Sequence, residues 1–223
     1  MRDLQENKIS AVNQNKKHFY TYGGGSFKVM FVGNSITKHG PVSENWNRDC
    51  GMWASSPEKD YVHQFIKTAE TELNRGIAYS IVTAADFERQ FDKVSVDSLY
   101  REAENYDPDV MIMFFGANVP KEYDSEPNPP VKFGEAYERL RNYLKGDNTL
   151  IFHSQGFYIR PVLDEEKLAV AKKYGDTFIN IESIRDREET HGLCNHPNDL
   201  GMKEIAEAFW RAVKPRIKNE IRS

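Results

Sequence analysis

Five short apolar runs constrain the fold more than any other feature of the chain. They cover residues 27–32, 78–82, 110–115, 149–152 and 177–181, the third being the most apolar. Runs this short and this continuous fit strands buried on both faces, because a sheet with one wet face needs alternation instead. Between them lie helical stripes: Val62, Phe65, Ile66, Ala69 and Leu73, then Phe133, Tyr137, Leu140 and Leu144. A last stripe holds Met202, Ile205, Ala206, Phe209 and Val213, with Asn198 or Asp199 as its N-cap and Pro215 expected to disturb its end. Strand alternating with helix predicts a five-stranded parallel sheet with right-handed crossovers and helices on both faces. A length of 223 residues suits one core. The chain reads as an N-terminal arm over 1–25, hinged at Gly23-Gly24-Gly25, and a single α/β domain over 26–223.

Two irregular stretches, 38–57 and 119–130, each follow a strand and so belong at the carboxyl edge of the sheet. Open α/β folds bind ligands there. Ser35 lies on that edge, in the turn Gly33-Asn34-Ser35 directly after the first run. A strand-end turn exposes a hydroxyl, and a helix start behind it would offer N–H groups to an oxyanion. The same turn also suits a serine that merely caps a helix. After the third run comes Phe115-Gly116-Ala117-Asn118, where Gly116 would allow close backbone approach to a substrate and the Asn118 amide would donate to an oxyanion. His196-Pro197-Asn198 opens the last helix and offers the usual base for a serine. Each of these three alone is ordinary loop punctuation; their co-occurrence at one edge, in the order Ser, Asn, His, points to a hydrolase.

Other function classes find less support. A net charge of −4 gives no basic signature, so no nucleic-acid partner is expected. No apolar run approaches the length of a membrane span, and no membrane partner is expected. Residues 1–17 are polar and lack the apolar core of a signal peptide, so the expected location is cytoplasmic for a chain that has not lost a secretion signal. Two cysteines make no disulfide framework, and Cys194 reads as a small buried filler. His191, Cys194 and His196 are metal-ligand types, but their spacing matches no standard zinc set, so no metal and no cofactor is expected. There is no phosphate-binding Gly-rich loop ahead of a helix, and Thr37 stands where a Gly-x-Ser-x-Gly elbow would need glycine.

The three blocks together resemble the SGNH hydrolase family, the GDSL-type esterases and lipases. Gly33-Asn34-Ser35 is similar to its first block, Gly116-Ala117-Asn118 to its third and His196-Pro197-Asn198 to its fifth, and the likeness runs from about residue 27 to the C-terminus. The resemblance implies a three-layer α/β/α sandwich with a flavodoxin-like sheet, and hydrolysis of acyl esters. It implies Ser35 as nucleophile and as one oxyanion donor through its own N–H, Asn118 as a second donor, and His196 as general base. Asn34 and Gly116 would lie against the substrate.

Three departures from the family pattern stand out. The second block's oxyanion glycine is replaced within Thr83-Ala84-Ala85-Asp86, so Ala84 or, in preference, Ala85 would donate instead. Val119 replaces an aspartate of the third block. The family's triad acid lies three residues before the histidine, and Leu193 occupies that place. Asp186, Glu188, Glu189 and Asp199 are nearby but out of register, so the expected base is a Ser35–His196 dyad whose imidazole is oriented by a backbone carbonyl near Leu193. Trp46 and Trp53, in the insertion after the nucleophile, either stack on a sugar or tie down their own loop. Asp60, Tyr61 and His63 read as capping and packing groups. The expected activity is hydrolysis of a small acyl ester, acetyl on a carbohydrate or other alcohol, through an acyl-serine. Two other classes stay open: a ligand-binding module that keeps the fold without turnover, and a phosphate- or nucleotide-binding flavodoxin-like domain.

Overall fold

In the computed structural model, which describes residues 17–220 apart from 43 and 45, the five apolar runs all become parallel strands and a sixth strand joins them. The strands are β1 (Phe19–Tyr22), β2 (Phe27–Gly33), β3 (Ile77–Thr83), β4 (Val110–Phe114), β5 (Leu150–Ser154) and β6 (Thr177–Ile179), in the order β1-β3-β2-β4-β5-β6. The five-stranded expectation is therefore corrected at one edge, where β1 pairs antiparallel with β3. β1 comes from the stretch read as a terminal arm. Its Phe-Tyr-Thr-Tyr sequence favours extended structure. Tyr22 stacks on Tyr79 at 5.0 Å, and the pairing covers an edge of β3 that would otherwise be open. Residues 1–16 of that arm lie outside the described residues.

Seven α-helices are described: α1 (Tyr61–Leu73), α2 (Ala85–Gln90), α3 (Val96–Tyr100), α4 (Phe133–Leu144), α5 (Pro161–Tyr174), α6 (Glu182–Arg185) and α7 (Asp199–Glu220). The strand period of two sends Val29, Phe31, Ile112 and Phe114 to one face, where they pack with Phe65, Ile66, Ile205 and Phe209 of α1 and α7. Met30, Val32, Met111 and Met113 go to the other face, with Phe87, Phe133, Tyr137 and Leu140. The result is three layers with a core on each side of the sheet. Each fully buried Leu, Ile or Phe contributes about 1.5–3 kcal/mol.

Asp60 caps α1 by accepting from the His63 N–H at 2.8 Å, and its other oxygen accepts from Gly51 N–H at 3.0 Å. At α7 the cap is Asn198, whose side-chain oxygen accepts from the N–H groups of Leu200 and Gly201 at 3.0 Å each. The expected break near Pro215 does not occur: α7 continues to Glu220, held by Val213 and Ile217, both buried on either side of the proline.

Parallel β2 sits between β3 and β4 with Gly33 level with Thr83 and with Phe114. The carboxyl ends of three strands therefore finish side by side, at the switch point of the sheet. Whatever follows them in sequence is brought to one place.

Candidate active site

Ser35 begins the turn after β2. Thr37 and Lys38 N–H groups return to the Asn34 carbonyl at 3.0 Å each, and the Asn34 side-chain oxygen accepts from Ile36 N–H at 3.2 Å. This is a single turn and not the start of a helix, so the expected helix N-terminus behind Ser35 is absent. Gly33 is required here by close approach: a β-carbon on it would lie 1.7 Å from Thr37 Oγ1, whose hydroxyl bonds Tyr61 OH at 2.8 Å.

The turn aims Ser35 Oγ at His196 Nε2, 3.0 Å away. The other imidazole nitrogen, Nδ1, lies 3.1 Å from the Cys194 carbonyl and 2.9 Å from Tyr158 OH. One tautomer satisfies every group: Nδ1–H donates to the carbonyl and the phenol oxygen, and Nε2 accepts the Ser35 proton. Tyr158 OH in turn donates to the Cys194 carbonyl at 3.4 Å. Among the described residues no carboxylate contacts His196. Asp199 gives both its oxygens to Ser55, at 2.8 and 2.5 Å, and Asp186 pairs with Arg185. Leu193 is 67% exposed, and the next residues, Cys194 and Asn195, have φ of 55° and 57°. That left-handed pair turns the Cys194 carbonyl toward the imidazole. Cys194 itself is exposed, which corrects its expected place as a buried filler. Burial lowers the His196 pKa below the usual histidine value, the bond to the Cys194 carbonyl raises it, and the charge of His39 lowers it further.

A cavity of about 530 Å³ opens over this pair. Its walls include Asn34, Ser35, Ala85, Asn118 and His196 around the hydroxyl, and Tyr20, Lys38, His39, Asp49, Met52 and Arg89 further out. Of the two alanines considered as donors, Ala84 has its N–H committed to the Gly33 carbonyl at 2.6 Å. Ala85 is the first residue of α2, where an N–H has no intrahelical acceptor, and it lines the cavity. Asn118 also lines it.

Of the four expected substrate-binding residues, Trp46, Trp53 and Gly116 do not line the cavity and Asn34 does. Trp46 is 1% exposed, donates from Nε1 to the His39 carbonyl at 3.2 Å, and packs 5.8 Å from Trp53. Neither tryptophan lines the cavity; they tie down the insertion, which corrects the sugar-stacking expectation. Gly116 is not a cavity residue either. Its φ of +136° explains the glycine, and its N–H donates to Glu88. Asn34 reaches the cavity wall, but its amide is engaged at both ends, by Ile36 N–H and by Glu88. His63 stays on Asp60, at 2.8 Å, and is not among the cavity residues.

The fold has solved counterparts. A carbohydrate acetylesterase from Sinorhizobium meliloti, Est24, superposes with a TM-score of 0.55 at 11% identity, covering 85% of this chain and 99% of that one. A GDSL-like lipase structure from Bacteroides ovatus gives 0.53 at 17% identity over 86% and 100%. An inhibitor-bound aryl esterase of M. smegmatis gives 0.52 at 10% identity over 85% and 99%. The chain has the SGNH hydrolase fold. No protein-family model matches the sequence, and no curated protein matches it.

On the SGNH fold, the residues that sequence reasoning missed are Tyr158, Glu88 and Lys167. Tyr158 follows β5 at the same carboxyl edge, so its place after a strand was a usable signal. Glu88 and Lys167 carried none, because a charged residue inside a helical segment reads as solvent-facing until the fold buries it.

Proposed function

We propose that the chain is a serine-dependent carboxylic ester hydrolase acting on a small acyl ester, acetyl on a carbohydrate or similar polyol. The observation that carries this reading is the Ser35 Oγ to His196 Nε2 contact of 3.0 Å, made within a cavity that Ala85 and Asn118 also line.

The steps follow from that geometry. Ser35 Oγ attacks the ester carbonyl as His196 Nε2 takes its proton. The carbonyl oxygen becomes an oxyanion facing the N–H groups of Ser35 and Ala85 and the Asn118 amide. Collapse expels the alcohol, which His196 protonates. Water, deprotonated by the same nitrogen, then releases the acid from the acyl-serine. The imidazolium is held by the Cys194 carbonyl and the Tyr158 oxygen, both neutral acceptors. In these steps His196 Nε2 carries each proton, and the backbone contributes only hydrogen bonds to the oxyanion. The polar outer wall, with Tyr20, Lys38, Asp49 and Arg89, suits a hydroxyl-rich alcohol, and the likeness to a carbohydrate acetylesterase supports the acetyl group.

Hydrolysis of a chromogenic acetate ester tests the reading, with Ser35→Ala and His196→Ala as comparisons. Each is expected to lower kcat/KM by at least about a thousandfold. Equal rates for wild type and Ser35→Ala would overturn it and favour a ligand-binding module. Among active substrates, an acetylated sugar should exceed the corresponding hexanoyl ester in kcat/KM.

A further inference from the structure

Glu88 is the most deeply committed acid near the cavity. Its side chain is fully buried, at 0% exposure, yet it meets four donors. Oε1 accepts from Asn34 Nδ2 at 3.1 Å, from Gly116 N–H, and from Asn118 N–H at 3.4 Å; Oε2 accepts from Asn118 Nδ2 at 2.6 Å. Burial raises the Glu88 pKa, and the bonds from Asn118, Asn34 and Gly116 oppose that rise. A carboxylate, with about four acceptor sites and no donor, suits this cage of N–H groups better than a neutral acid does. The next residue, Arg89, donates from Nη2 to Asn118 Oδ1 at 3.2 Å and pairs with Asp86 at 3.2 Å. The Asn118 amide is therefore gripped at both ends by consecutive residues of α2. An amide held so cannot flip; one Nδ2–H is spent on Glu88, and Asn118 lines the cavity, where the second can serve.

From this geometry we infer that Glu88 and Arg89 are positioning residues that fix the Asn118 amide as an oxyanion donor, Glu88 also tying the nucleophile turn to the loop after β4. The inference rests on the ester-hydrolase reading and goes beyond it. It joins two blocks at once: a single carboxylate from α2 takes up the Asn34 amide of the first and the Gly116 and Asn118 donors of the third. The negative charge of Glu88 so close to a developing oxyanion is offset from the far side of the same loop. Lys167 Nζ, fully buried, donates to the Phe115 carbonyl at 3.2 Å and to the Ser154 carbonyl at 2.9 Å. Burial lowers the Lys167 pKa, while Asp164, at 2.9 Å, and the charge of Glu88 support its cationic form.

The test is a double-mutant cycle on kcat in the acetate-ester assay, with thermal melting run on each protein. Asn118→Ala is expected to lower kcat by about a hundredfold to a thousandfold, as for loss of one oxyanion donor. Glu88→Gln presents donors to donors, and should lower kcat by about tenfold or more with KM within about threefold. In the Asn118→Ala background the same change should cost less than about threefold, because the group it positions is gone. Arg89→Met, on a side chain that is 50% exposed, should show the same non-additivity and keeps the test open if Glu88→Gln does not fold. Full additivity of both variants with Asn118→Ala, or a loss confined to KM, would overturn the inference. Ser35→Ala in the same series separates the two readings: if it stays active the hydrolase reading has failed, whereas an inactive Ser35→Ala with additive Glu88 and Arg89 effects sinks only the positioning role.

Discussion

In the proposed mechanism a neutral pair of oxygens at His196 stands where a Ser-His-Asp triad has a carboxylate, and the cost of that exchange can be bounded. Burial pushes the Tyr158 hydroxyl up to about 12, so it stays a phenol across the working pH range and offers a dipole instead of a charge. A neutral hydrogen bond contributes about 0.5–1.5 kcal/mol net. Tyr158→Phe should therefore lower kcat by roughly threefold to tenfold, because the Cys194 carbonyl still holds Nδ1. Loss of a true triad acid costs about ten-thousandfold, and a drop of that size on Tyr158→Phe would contradict the assignment. The direction of the His196 pKa gives a second expectation. With no carboxylate to stabilise it, and with burial and His39 opposing it, the imidazolium forms only below the usual histidine value of about 6.5. The acid limb of kcat/KM should have its midpoint below pH 6.5, and His39→Asn should move it upward by removing a like charge. A limb at or above 6.5 in the wild type would show an unrecognised acid.

Elements differ in how far their sequences declared them. The five parallel strands and helices α1, α4 and α7 were readable because their buried positions are apolar at period two or period 3.6. α5 was not, because its buried face carries Asp164 and Lys167 beside Leu163 and Val170, and charge on an inward face erases the stripe. β1 was hidden by its polar surroundings in an arm. At the candidate site, the meeting of Ser35, Asn118 and His196 around one cavity was legible from block order. The residues behind them were less so: Tyr158 had only its place after β5 as a signal, and Glu88 and Lys167 had none, since their contacts join residues far apart in the chain. The turn after β2 shows the same division: the sequence marks Gly33, and only the fold says why. Gly33→Ala would drive its new methyl into Thr37 and to within 3.2 Å of the Phe114 carbonyl. Displacing Thr37 breaks its bond to the fully buried Tyr61 hydroxyl. A loss of about 1–3 kcal/mol is expected, together with a fall in kcat as Ser35 shifts from His196. Full activity with an unchanged melting temperature would mean the turn tolerates the methyl.

Across the whole molecule charged groups are buried in several places, and the cluster at the β5–β6 end of the sheet ties stability to pH. Arg141 of α4 holds Asp176 bidentately, with Nε and Nη2 at 2.6 and 2.8 Å, and His153 of β5 donates to the same carboxylate at 2.8 Å while accepting from Tyr137 OH at 2.7 Å. Burial disfavours the Asp176 anion, but the bonds from His153 and Arg141 outweigh it and hold the carboxyl below its ordinary pKa. Burial likewise lowers His153, which stays neutral beside it. A depressed folded-state pKa means the unfolded chain takes up the proton first. The stability from Asp176 is then fully present above the unfolded aspartate value of about 3.9, and is lost as pH falls through the lower folded value. Asp176→Asn at neutral pH leaves Arg141 buried without its partner, which costs about 3–5 kcal/mol. For a chain of this length that corresponds to a fall in melting temperature of roughly 6–20 °C. The gap between wild type and Asp176→Asn should narrow only as pH drops below about 4, where the wild type begins to lose the same interaction. A gap that stayed constant down to pH 2 would show that the cluster contributes by packing alone, with no linkage to the Asp176 proton.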